Sequence, residues 1–232
     1  MNKVGKYWLD IYSSTNRFMK IGTTRVETFS DGVMAIVITI MVLHFQFPNV
    51  HESEDSIRRY LLKMAPEFIA YAFSFMMISI FWINHHHMFH LVDKTDEPLL
   101  LLNLLFLFSI SLIPLSTATI ASNLKAADSI ALYSLVLLLT TLSFALMRWH
   151  SIRKKLVHKD QNREITYTVS KVTLHARTKS FLGAFAYLLS AISAYINIYL
   201  AYFFLLIPPV IFFIPDGIDD ERLAQKIEDK NK

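Results

Sequence analysis

The chain has 232 residues and no cysteine, with 53% hydrophobic but only 18% charged residues and a net charge of +4. Soluble domains average roughly 25% charged residues, so the composition argues against a soluble globular protein, and the absent thiols exclude disulfides and thiolate metal sites. The basic residues flank apolar runs, the pattern of a membrane protein with positive cytoplasmic segments, not of a nucleic-acid binder.

In chain order, residues 1–24 mix Lys3, Lys6, Asp10, Arg17 and Lys20 with polar side chains. They lack the continuous apolar core of a signal peptide and are expected to form a cytoplasmic segment. A bilayer core of about 30 Å needs about 20 apolar residues per helix. Six stretches between residues 25 and 215 approach that length, at about 29–47, 66–87, 98–122, 129–147, 181–195 and 197–214. Pro66 suits the first turn of the second span. Pro114, inside the third, requires Ser111 or a neighbour to satisfy the carbonyl it frees. The block 181–214 divides at a tight turn near Ala194 to Asn197, and residues 216–232 read as a cytoplasmic tail. The predicted fold is therefore all-α, a polytopic membrane protein of six transmembrane helices.

With the N-terminus inside, 19 of the 23 Lys and Arg residues fall in cytoplasmic segments. That asymmetry sets both termini in the cytoplasm. The loop from Arg148 to Lys179, with Arg153-Lys154-Lys155, is expected to extend the flanking helices past the interface and to touch anionic lipid headgroups.

Two stretches could carry chemistry. The first, Arg25-Val26-Glu27-Thr28-Phe29-Ser30-Asp31-Gly32, sets charged and polar groups at the mouth of an apolar helix, where charge is costly and usually functional. Beyond it, Gly32, Ile36, Thr39, Ile40 and Leu43 share one helical face. A small and a hydroxylated residue interrupt that stripe, as where helices or an axis come close. The Thr39 hydroxyl could also bond back to the carbonyl of Ala35. The second stretch ends the second span with Phe81-Trp82-Ile83-Asn84-His85-His86-His87-Met88-Phe89-His90. Because the first helix leaves the cytoplasm and the second returns, Asp31 and these histidines lie at similar depth, which brings an Asp31–His contact within reach. Only His86–His90 and His87–His90 have a spacing that could share a ligand, and no repeated metal box exists. No phosphate-binding glycine loop or nucleophile motif is present.

The motif Arg25-x-x-x-Phe29-Ser30-Asp31-Gly32, followed by Ala35-Ile36 and Thr39, resembles the signature of the endosomal/lysosomal potassium channel family, transmembrane protein 175, in its prokaryotic form. Trp82, Asn84 and His85-His86 at the end of the second span are similar to that family as well. The resemblance implies a potassium-preferring cation channel in the cell membrane. Its first helices would surround a four-fold axis, and one six-span repeat per chain would require a homotetramer. It further implies a pore without a carbonyl filter loop, narrowed by Ile36, Ile40 and Leu43, with Thr39 offering hydroxyls to the ion. Arg25, Phe29, Ser30 and Asp31 would form an interhelical network with Trp82 and His85 or His86. No cofactor, resident metal, nucleic-acid partner or catalytic activity is implied; potassium is the permeant ion. Two other readings of the residues remain: a proton-linked carrier or proton leak using Asp31 and the histidines, and a histidine-rich membrane metalloenzyme.

Overall fold

The computed structural model describes residues 22–44, 54–157 and 163–213, so the expected N-terminal segment up to residue 21 and the tail 216–232 lie outside the described residues. Among the described residues seven α-helices follow one another. Helix α1 spans Thr23–Met41 and continues as a 3-10 turn, Val42–His44. Helix α2 spans Glu54–Leu91, α3 Glu97–Ser111, α4 Ile113–Ser122, α5 Ala127–Arg153, α6 Arg163–Ser193 and α7 Ile198–Phe213. Among the described residues there is no strand, only an isolated bridge between Val92 and Val157. Met64–Leu91, Glu97–Ser122 and Ala127–Arg153 are each long and apolar enough to cross a membrane. The fold is that of an all-α membrane protein.

Local chemistry explains most boundaries. Asp96 caps α3 by accepting the Leu99 N–H at 3.0 Å, with Pro98 in the first turn where its missing N–H costs nothing. α3 and α4 form one span broken at Leu112, just before Pro114. There the Ser111 hydroxyl donates to the Phe108 carbonyl. The turn Ala194–Asn197 ends with the Asn197 side-chain oxygen accepting the N–H groups of Tyr199 and Leu200, which opens α7. Pro66 differs from expectation: α2 begins at Glu54, so this proline sits inside the helix. A proline removes one backbone hydrogen bond without dictating a boundary when the flanking turns are otherwise satisfied.

Helix α5 is the centre of the bundle and packs against α3, α4, α6 and α7, whereas α1 packs chiefly against α2, α3 and α4. Phe106, Met77, Tyr133 and Tyr187 are among the largest fully buried side chains. Between helices that share an apolar solvent, hydroxyls act as the specific contacts. Ser74 meets the Tyr133 hydroxyl and the Thr117 hydroxyl, both at 2.7 Å. Ser190 joins Ser134 of α5 and the Ala201 carbonyl of α7, both at 2.8 Å. Other hydroxyls, those of Ser79, Ser109, Thr119 and Thr140, donate to the carbonyl four residues earlier in their own helix. Gly183 lets α6 and α7 close up, since a Cβ there would lie 2.8 Å from the Phe212 ring.

Between α5 and α6 the basic segment divides. Arg153, the last residue of α5, and Lys154 and Lys155 just after it are exposed, but Arg148 and Lys179, which bound the segment, are buried. The Arg148 guanidinium lies 4.7 Å from the Phe144 ring centre and donates to Ser180 at 3.3 Å. These two cations therefore face the protein and not lipid headgroups, because their long stems reach partners in the helix bundle.

Candidate functional site

The sequence of α1 sorts its side chains into two faces. Val26, Ser30, Met34, Val37 and Met41 are buried, at spacings of three and four that keep them on one side. Turned away from them, Phe29, Ile36, Ile40 and Leu43 are 56%, 58%, 44% and 76% exposed within the single chain. Gly32 lies on this open side, and a Cβ built on it would meet nothing within 4 Å. Thr39 is exposed too, but its hydroxyl donates to the carbonyls of Ala35 at 3.0 Å and Ile36 at 2.9 Å. In this rotamer the oxygen offers lone pairs outward while its proton stays with the helix.

The polar half of α1 is tied to α2 and α3 at three points. The Trp82 indole N–H donates to the Asp31 carboxylate at 2.9 Å. His86 Nδ1 lies 2.9 Å from the Glu27 carboxylate, which can only accept, so that nitrogen carries the proton. The third point is deeper. Buried Ser30 donates to the Val26 carbonyl at 2.8 Å and accepts from the Asn103 amide N–H at 2.9 Å. This leaves the Asn103 amide oxygen to accept from His85 Nε2, also at 2.9 Å. The chain of bonds sets His85 in the Nε2–H form, and its bare Nδ1 is buried with no hydrogen-bond partner among the described residues. The His85 ring lies between aromatics, stacked on Phe89 at 4.5 Å and Phe106 at 5.5 Å. A buried polar trio satisfied in this way fixes the rotation of α1 about its axis, because only one register brings Ser30 to Asn103.

Of the expected network, Ser30, Asp31, Trp82, His85 and His86 are thus brought together in two linked groups. Arg25 and Phe29 are not: both are exposed, and neither has a side-chain hydrogen bond, ion pair or ring contact among the described residues. The expected Asp31–His contact is replaced by Asp31–Trp82, since Trp82 stands one turn before His86 and its indole reaches the carboxylate first. The histidine at that level pairs with Glu27, one turn before Asp31. Two members escaped the sequence reading. Glu27 lay within the motif, and Asn103 was the lone amide in the apolar run of α3, a position where a polar residue is costly unless engaged.

At the C-terminal end of α5, His150 Nε2 lies 3.0 and 2.8 Å from the two Asp96 oxygens. This ties the α2–α3 connection to the end of α5, beside the Asp93 N–H to Leu156 carbonyl bond. Among the described residues no three ligand-type side chains converge on a point that could hold a metal ion.

Comparison with known proteins matches this geometry to a family. Residues 25–114 match the model described as endosomal/lysosomal potassium channel TMEM175. A potassium channel of Chryseobacterium sp. (strain P1-3) is 33% identical over 201 residues, covering 87% of this chain and 97% of that protein. The crystal structure of a lysosomal potassium-selective channel TMEM175 homolog from Chamaesiphon minutus superposes with a TM-score of 0.68 at 26% identity, covering 84% of this chain and 98% of that one. The human endosomal/lysosomal proton channel TMEM175 is 37% identical over 99 residues, which is 40% of this chain and 20% of that protein.

Proposed function

The chain belongs to the endosomal/lysosomal potassium channel TMEM175 family, and from that premise we propose that it conducts cations with a preference for potassium through a pore lined by α1. Four copies would place their α1 helices around a common axis, with both termini in the cytoplasm and the protein in the cell membrane. Relatives named as potassium channels and the likeness to a potassium-selective channel structure support the class of function.

The observation that carries the pore assignment is the division of α1. One face is packed and pinned by hydrogen bonds, while on the opposite side the apolar Phe29, Ile36, Ile40 and Leu43 are exposed in the single chain. Ile36, Ile40 and Leu43 then act as the constriction. A narrow ring of such side chains stops an ion by excluding the water it needs, and a small rotation of the helices rewets the path. Thr39 lines the same wall and presents lone pairs to a partly dehydrated cation. Asp31, Glu27, Trp82, His85 and His86 hold the helix, and the exposed Arg153, Lys154 and Lys155 meet anionic headgroups.

Reconstitution into liposomes tests the reading. Under opposed potassium and sodium gradients the reversal potential is expected to follow potassium; folded protein without cation conductance defeats the proposal. A second reading has its own support, since the human relative is named as a proton channel and two carboxylates, Glu27 and Asp31, sit at the mouth of α1. It requires currents that track the proton gradient and fall in Asp31→Asn. Flux indifferent to that gradient excludes it.

A further inference from the structure

Two imidazoles at the end of α2 keep nitrogens that the channel reading does not use. His86 and His90 are four residues apart and share a helical face. Their rings are stacked, 6.3 Å between centres and 27° between planes. Both residues are exposed. His86 is also held from its other edge: Nδ1–H donates to Glu27 at 2.9 Å, so the lone pair is on Nε2, which points away from that carboxylate. This is the arrangement of a metal-binding histidine, in which a carboxylate takes the second N–H, fixes the ring and raises the basicity of the ligating nitrogen. His90 makes no hydrogen bond among the described residues and offers a second nitrogen from the same face.

We propose that His86 and His90 form a two-imidazole site for a divalent transition ion such as Ni²⁺, Zn²⁺ or Cu²⁺, with Glu27 positioning the His86 ring and water completing the coordination sphere. Imidazole ligands select these ions over Mg²⁺ and Ca²⁺, which require oxygen. The neighbouring histidines are unsuited: His85 is buried and bonded to Asn103, and the His87 ring is tilted 49° from that of His86 on an adjacent helical position. Because Glu27 belongs to α1, an ion on His86 strengthens the bond that ties α1 to α2. The site does not depend on what the pore conducts.

The test uses the full chain, purified in detergent with an affinity tag that contains no histidine. Calorimetric titration with Ni²⁺ is expected to show one saturable ion per chain. His90→Ala lowers the affinity at least tenfold, Glu27→Gln lowers it about tenfold through the lost orientation of His86, and His87→Ala leaves it unchanged. Electron paramagnetic resonance of the Cu²⁺-loaded protein counts the bound imidazoles independently of affinity. Two are expected in the wild type and one in His90→Ala. Equal affinity in the wild type and His90→Ala overturns the proposal, as does a Cu²⁺ spectrum that keeps both nitrogens in that variant or a titration without saturable binding.

Discussion

Helices α1 and α5 both belong to the bundle, yet they are buried in opposite ways. In the most apolar window of α5, 67% is buried, and four other helices surround it. In α1 one line of side chains is buried and an apolar face of comparable size stays open. The difference separates two uses of the same residue types. On α5 an Ile, Leu or Phe finds its neighbours within one chain, so it contributes to folding; on the open face of α1 it does not, so it is available to another copy or to an ion path.

Substitutions can break or sharpen this contrast. The largest effect is expected at the core of the scaffold: Phe144→Ala removes a ring that contacts Phe106 and the Arg148 guanidinium. It should cost about 3–5 kcal/mol, read as a collapse of the detergent melting temperature. Asn103→Leu, at the joint between scaffold and α1, strands the His85 Nε2–H, unties Ser30 from α3 and should cost about 1–3 kcal/mol. Conductance should fall with it as α1 loses its fixed rotation, and a variant with wild-type currents would detach the trio from the pore. Trp82→Phe keeps the stacking surface but deletes the bond to Asp31, for about 1 kcal/mol. Ile36→Asn is the sharpest contrast, with stability changed by less than about 0.5 kcal/mol but conductance raised through a wetter constriction. If Ile36→Asn destabilises as much as Phe144→Ala, the open face is not open, and unchanged currents remove Ile36 from the gate.

Much of the fold was legible because the bilayer imposes a length and a polarity on each helix. The helical class, the polar mouth of α1 and the stripe beyond it all follow from where charge interrupts apolar runs. What stayed hidden depends on three-dimensional reach. Asp31 was expected near a histidine on grounds of depth alone, but depth cannot decide between Trp82 and His86, one turn apart on the same face. Arg148 and Lys179 bound a basic loop expected to touch anionic headgroups, yet both are buried, because flexible stems let a cation reach inward as readily as outward. Asn103 could have been found by asking which lone amide in an apolar run needed a partner. Its bonds to Ser30 on one side and His85 on the other could not, since the trio spans three helices.

The hydroxyls that donate back to their own helix bear on biogenesis. In a bilayer every unpaired polar group costs several kcal/mol, but Thr39, Ser79, Ser109, Thr119 and Thr140 are already paired within the segment that carries them. Each such span can leave the translocation machinery without waiting for a neighbour. The hydroxyls of Ser74 and Ser190 are different, since the contacts described for them come from other helices and exist only after those helices have met. Insertion of single spans and their later lateral assembly are thus written into different hydroxyls, and replacing Ser190 by Ala should spare the first step while slowing the second.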